Sequence, residues 1–238
     1  MVDLHCHLLY GVDDGAWTLE DSLEMARALI DLGFTAVAPS PHNRPEYAPR
    51  EVAEARLEEV RQALAERGLS LELWRNSENY FLDDRFLPSL GTPEARPIGA
   101  GRYVLVEAPY TSPLPALTEI IFRIKLKGIT PVIAHPERCM EFEKKGRAAE
   151  AVRAGALLQL DIGALIGRYG PSAKKVARSL LDDGLYAIGA TDLHGAVTAR
   201  DWVGRSLAEL RSRVGERAFT QLMRETPRRI LDGQSVES

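Results

Sequence analysis

Short apolar runs alternate with amphipathic stretches along most of the chain. Residues 1–7 read as a strand, and Thr18-Leu19-Glu20-Asp21 then opens a helix with capping-box spacing. Leu23, Ala26 and Ile30 share one face of that helix, and Gly33 ends it. The unbroken apolar run over residues 34–40 predicts a strand buried on both faces. A second helix is predicted over 49–67, with Ala53, Leu57, Val60 and Leu64 as its stripe. Residues 69–74 predict a third strand, followed by an irregular Gly- and Pro-rich stretch to about Gly101. Four further strands are predicted over 103–107, 129–134, 156–161 and 185–191. Helices near 114–127, 145–154, 172–183 and 200–213 lie between or after them, with a short one near 216–224.

That alternation makes about seven β-then-α units, so the strands should be parallel and joined by right-handed crossovers. Such units close as a barrel or stay open as a doubly wound sheet. No repeat, low-complexity tract or linker divides the chain. One domain is expected over 1–238, with the residues after about 226 as a short tail.

Composition narrows the classes. With 238 residues, 45% of them hydrophobic, a single well-buried core is within reach. A net charge of -4 argues against a nucleic-acid binder. Two cysteines exclude a disulfide scaffold and a thiolate zinc cluster. There is no apolar run of about 18 residues to span a membrane. The opening Met1-Val2-Asp3-Leu4-His5 has neither a basic leader nor an apolar stretch, so a cytoplasmic protein is expected.

All five histidines, His5, His7, His42, His135 and His194, fall at or just past the C-terminal end of a predicted strand. Both α/β architectures build their sites at that edge. His5 and His7 are two apart and point to the same face of a strand, as do Asp192 and His194. Glu78, Glu107 and the Asp13-Asp14 pair join them at that edge. A single histidine at a strand end is ordinarily a satisfied polar residue, and a lone acid before a helix is an N-cap. Five imidazoles gathered with several carboxylates are a different matter, because converging carboxylates repel unless cations intervene. Mixed imidazole and carboxylate ligands suit Zn, Mn or Fe, so a multinuclear metal site is expected.

These segments resemble the polymerase-and-histidinol-phosphatase (PHP) superfamily. The resemblance is carried by Asp3-Leu4-His5-Cys6-His7, the Asp-Asp-Gly loop, His42, Glu78, Glu107, His135 and Asp192-Leu193-His194. More narrowly, Val12-Asp13-Asp14-Gly15, Glu20-Asp21-Ser22-Leu23, Ser77-Glu78 and the run from Gly128 to Arg138 are similar to one branch of it. That branch is the CpsB/CapC-like metal-dependent protein-tyrosine phosphatases encoded with bacterial capsule and exopolysaccharide genes. The resemblance implies a single-domain, distorted (β/α)7 barrel of PHP type holding three divalent ions. It implies His5, His7, Glu78 and Asp192 around one ion, with Glu78 bridging to a second held by Glu107 and His135. Asp14, His42 and His194 would hold the third. Spacing alone leaves Asp13 and Asp14 open; the resemblance implies Asp14.

Three divalent ions and four ligand carboxylates leave a pocket charge of about +2, which suits a phosphate dianion. Arg44 and Arg138 follow His42 and His135 closely enough to reach the pocket rim, where a guanidinium fork matches phosphate oxygens. The resemblance singles out Arg138 as phosphate-binding. It also implies a second arginine after the Asp-x-His motif, for which Arg200 is the nearest residue, one position out of register.

The expected activity is therefore metal-dependent hydrolysis of phosphotyrosine in a protein, a bacterial tyrosine kinase being one such substrate. A small-molecule phosphatase, such as a histidinol-phosphatase, is the alternative on the same ligands. A non-catalytic PHP module is disfavoured because all nine ligand positions are filled. A carbamylated-lysine amidohydrolase fits poorly, since none of the six lysines ends a predicted strand. A thiol phosphatase needs an arginine six residues after its cysteine, and those positions hold Val12 and Lys145. Cys6 should face away from its flanking histidines as a small buried hydrophobe.

Overall fold

The computed structural model of the chain describes residues 1–236. Its strands are β1 (Val2–Asp3), β2 (Ala36–Val37), β3 (Glu72–Leu73), β4 (Glu78–Tyr80), β5 (Tyr103–Glu107), β6 (Thr130–Ala134), β7 (Leu157–Asp161) and β8 (Tyr186–Ala190). They form two ladders in chain order, β1 to β3 and β4 to β8. Every pairing is parallel. Isolated parallel bridges join the ladders at both seams, Cys6 with Leu193 and His42 with Glu78. Backbone bonds continue there: the His7 N–H donates to the Leu193 carbonyl over 2.9 Å, and the Asn43 N–H to the Glu78 carbonyl over 2.8 Å. Because β3 pairs with β2 while β4 pairs with β5, these two pieces are halves of one bent strand. The architecture is a distorted seven-stranded α/β barrel.

The β4 half lies in the stretch expected to be irregular. Glu78-Asn79-Tyr80 has no apolar run to signal a strand; pairing with β5 imposes it, and the Asn79 amide also donates to the Leu105 carbonyl over 3.0 Å. Conversely, the ladder of β1 with β2 is shorter than the apolar runs suggest, although Ala38 N–H to Asp3 and Ser40 N–H to Cys6 carry the pairing onward.

The helices are α1 (Leu19–Asp31), α2 (Arg50–Glu66), α3 (Phe86–Ser89), α4 (Leu117–Leu126), α5 (Met140–Glu143), α6 (Arg147–Arg153), α7 (Ile162–Ile166), α8 (Gly170–Asp182), α9 (Ala199–Thr220) and α10 (Thr226–Leu231). Thr18 caps α1 through the reciprocal bonds expected of a capping box. Inside the barrel, Val2, Leu4, Ala36, Tyr103, Leu105, Val132, Leu157 and Ile188 form one apolar cluster, which Ile230 and Leu231 of α10 join. The expected tail after 226 is thus corrected. Thr226–Leu231 is a helix whose two last apolar side chains are fully buried, each contributing about 1.5–3 kcal/mol. Glu237 and Ser238 of that expected tail lie outside the described residues. The alternate strand residues, among them Val104, Val106, Ile133, Leu158 and Leu160, pack with the helices in the second cluster, where Cys6 lies away from its neighbouring histidines as expected.

Candidate metal centre

Strand alternation brings the first ligands inward. Tyr103 and Leu105 belong to the barrel interior, and Glu107 continues their row at the C-terminal end of β5. His135 and Asp192 need more than alternation. Both occupy the left-handed backbone region, with φ of 31° and 50°, so the chain turns sharply as it leaves β6 and β8. Non-glycine residues in that region store strain and concentrate at functional sites.

The nine residues expected as ligands converge. His5 Nε2 lies 3.1 Å from Asp192 Oδ1 and 3.4 Å from Glu78 Oε1, and His7 Nε2 lies 3.4 Å from the same Asp192 oxygen. The other side of Glu78 faces His42 Nδ1 at 3.0 Å, and His135 Nε2 approaches Glu78 Oε1 at 3.0 Å. Glu107 Oε1 is 3.9 Å from His42 Nδ1. Asp14 Oδ1 stands 3.4 Å from His42 Nε2 and 3.5 Å from His194 Nε2. Ligand atoms within 4.8 Å of one another form four overlapping groups: His7/Asp14/His42/His194, His5/Glu78/His135, His5/His7/Asp192 and His42/Glu78/Glu107.

A second layer orients these groups. His7 Nδ1 bonds Asp13 Oδ2 at 2.7 Å, and His5 Nδ1 bonds Gln159 Oε1 at 2.9 Å. Both rings therefore present Nε2 to the centre, as metal-ligating histidines do when their other nitrogen is held. Burial opposes a proton on His5, yet the Glu78 and Asp192 carboxylates push it up to about 9. Burial and the Arg138 charge instead bring His135 down to about 4 against the pull of Glu78. Asp192 is held well below the carboxylate range because His5, His7 and His194 outweigh its burial. His42 Nδ1 and Asp192 Oδ1 are buried and make no aligned hydrogen bond, although Glu78 and His5 stand 3.0 and 3.1 Å from them. Buried donor atoms left unpaired among imidazoles and carboxylates fit divalent cations.

The family described as "Capsular polysaccharide synthesis, CpsB/CapC" matches residues 1–232. The chain belongs to the CpsB/CapC family. Among curated relatives, the tyrosine-protein phosphatase YwqE of Bacillus subtilis is 27% identical, the match covering 99% of this chain and 93% of YwqE. The tyrosine-protein phosphatase CpsB of Streptococcus pneumoniae is 26% identical, covering 99% and 100%. A crystal structure from a study of these two, described as metal-dependent tyrosine phosphatases, superposes with a TM-score of 0.89 at 26% identity, covering 99% of this chain and 96% of that one. The organophosphorus hydrolase of Deinococcus radiodurans shares the fold alone, with a TM-score of 0.59 and 16% identity over 97% and 92% of the two chains.

In this CpsB/CapC protein the ligand groups open into a 220 Å³ cavity bordered by Arg44, Tyr47, Tyr110 and Arg138. Arg138 pairs with Asp192 and lies 3.5 Å from Asp161, its guanidinium 4.3 Å from the Tyr169 ring centre and 4.9 Å from that of Tyr110. Arg44 pairs with Glu107 and stacks at 4.2 Å over Tyr80. Arg200 is a correction: it does not border the cavity but pairs at 2.7 Å with exposed Asp31 at the end of α1. It sits in the first turn of α9, whose packing on α1 carries its side chain outward.

Reading the sequence did not single out Gln159, Tyr47, Tyr80, Tyr110 or Tyr169. Gln159 carried a signal, being the one amide inside an apolar strand on the same face as Leu157 and Asp161. The tyrosines carried none, because their role depends on contacts across the barrel mouth. Both cysteines are free and buried.

Proposed function

We propose that this CpsB/CapC protein hydrolyses phosphotyrosine in polypeptides with the help of three divalent ions. The observation that carries the reading is the overlap of four ligand groups at one pocket with two anchored arginines at its edge. His5, His7, Glu78 and Asp192 would hold one ion; Glu78, Glu107 and His135 a second; Asp14, His42 and His194 the third. Mn, Fe and Zn all suit that donor set. Bound divalent ions supply Lewis acidity toward phosphoryl oxygens and lower the pKa of water to make the nucleophile.

The chain's own groups do the rest. Arg138, with its guanidinium packed on two tyrosines, offers a planar fork for phosphate oxygens, and Arg44, stacked on Tyr80, offers a second. Asp13 and Gln159 keep the His7 and His5 rings in one tautomer and orientation. Every imidazole belongs to a ligand group, so none is left to protonate a leaving group. A phenolate, with a pKa near 10, needs that help less than an alkoxide does, which favours an aryl ester such as phosphotyrosine.

The curated relatives, tyrosine-protein phosphatases by name, support a phosphotyrosine polypeptide as substrate, and a bacterial tyrosine kinase is the one the resemblance leads us to propose. No described helix is long and apolar enough to cross a membrane, and the two free cysteines suit a reducing cytoplasm. The decisive experiment compares a phosphotyrosine peptide with histidinol phosphate, before and after chelation and Mn addition, alongside metal analysis of the purified protein. Activity on the peptide that chelation abolishes and metal restores is the expected result. Full activity in metal-free protein, or a higher kcat/KM on histidinol phosphate, overturns this reading.

A further inference from the structure

The two most exposed large apolar side chains among the described residues are Val197 at 86% and Trp17 at 84%. Each stands three residues beyond a member of the metal cluster, Trp17 after Asp14 and Val197 after His194. Those two cluster side chains are 3.5 Å apart, so the loops bearing Trp17 and Val197 leave the same side of the pocket. Neither side chain is exposed because its loop is loose. Ala16 is buried and donates its N–H to the His7 carbonyl over 3.1 Å, while Thr18 caps α1 on the other side of Trp17. Val197 is followed by buried Ala199, whose N–H donates to the Ala196 carbonyl over 3.0 Å. Rigid backbone presents both groups to solvent.

Their distribution is lopsided. Of the eight exposed large apolar side chains, Trp17, Leu82, Tyr110, Met140 and Val197 follow the C-terminal ends of β1, β4, β5, β6 and β8, the face where the pocket opens. Apolar side chains left exposed on the face where a pocket opens are available to whatever enters it. The 220 Å³ cavity is smaller than the ~300–1,000 Å³ typical of sites that enclose a drug-sized ligand. A cavity of that size suits the phosphorylated head of a substrate, with the attached polypeptide left on the rim. Charge does not select that polypeptide beside Trp17 and Val197, since Arg200 is paired with Asp31, and Arg27 and Arg67 with Glu20. Two side chains also fall far short of the ~1,200–2,000 Å² that a stable dimer buries, which disfavours a second copy of this chain as occupant.

We propose that Trp17 and Val197 form an apolar ledge that receives apolar side chains flanking the phosphotyrosine of a polypeptide substrate. The inference rests on the phosphotyrosine reading above, and makes that enzyme selective for apolar surroundings of the target.

The test measures kcat/KM of wild type and the Trp17→Ser/Val197→Ser double variant, with metal present, on three substrates: p-nitrophenyl phosphate, a phosphotyrosine peptide with leucine and valine beside the target, and one with glycine and serine there. The variant should lose about tenfold on the apolar peptide, mainly through KM, as expected for truncated contact residues. It should stay within about twofold of wild type on the other two. Equal activity of both proteins on the apolar peptide overturns the ledge, as does an equal loss on all three substrates. A change in sedimentation of the variant also overturns it, in favour of self-association. Wild type inactive on every phosphotyrosine substrate overturns the phosphatase reading itself.

Discussion

Asp13 Oδ2 meets His7 Nδ1 at 2.7 Å, and this bond separates the roles of two adjacent aspartates. The Asp13 carboxylate is buried behind the site, where it also accepts the backbone N–H of Gly15 at 3.0 Å and of His42 at 3.1 Å. Asp14 points the other way, into the cavity, between His42 and His194. One carboxylate aims a ligand and the other is placed to be one.

Asp13→Asn should therefore weaken metal binding by about 10–100-fold while leaving kcat near wild type once metal is saturating. Asp14→Asn should lower the number of ions bound and the rate together. Metal titration of the chelated protein, followed by turnover at saturating metal, distinguishes the two. Identical behaviour of the variants would refute the division of roles.

Arg138 and Arg200 should behave oppositely on substitution. Arg138→Ala is expected to cost about 2–4 kcal/mol in kcat/KM with bound metal retained, as for a lost anion clamp. Arg138→Lys should recover little, because a point charge cannot replace a fork held between tyrosine rings. Arg200→Ala should leave kcat/KM within about twofold of wild type, its exposed partner Asp31 being remote from the pocket.

Burial raises the Cys6 thiol well above its usual range, and burial with the nearby Glu137 charge does the same for Cys139. A raised thiol pKa keeps the thiolate scarce through neutral and mildly alkaline pH. Iodoacetamide should leave both thiols unmodified in the native protein at pH 8 and react with both after denaturation. Cys139→Ser should keep most activity. Rapid native labelling with matching inactivation would restore a thiol nucleophile.

Gly15 admits no side chain. A Cβ there would stand 2.1 Å from the His7 carbonyl oxygen and 2.5 Å from the His7 Cβ. Gly15→Ala should push the Asp13-Asp14 loop off His7, destabilising the fold by about 1–3 kcal/mol and reducing bound metal. Thermal unfolding and metal content would check both effects. An unchanged melting temperature and metal content would show that the loop yields freely.

Much of the site was legible because strands alternate. His5 with His7, and Glu107 after Leu105, point inward by period two, and ligand-type residues at successive strand ends have one edge on which to meet. The bent strand was less legible, since Glu78-Asn79-Tyr80 becomes β4 only by pairing with β5. The last helix was missed for a similar reason. Thr226–Leu231 is short and polar on average, and its helical state is supported by Ile230 and Leu231 filling the barrel end.

By itself, the sequence determined the order of β and α units, the types of donor and the edge on which they gather. Those depend on periodicity and on the position of each residue in its strand, both local properties of the chain. Only the tertiary structure decided that Asp14 rather than Asp13 enters the cavity, that Gln159 holds His5, and that Arg200 turns to Asp31. These choices depend on where loops and helix ends lie relative to strands more than 100 residues away, and on left-handed turns at His135 and Asp192 that no spacing rule encodes. A side chain's chemistry is written in the chain, but its direction is set by what it packs against.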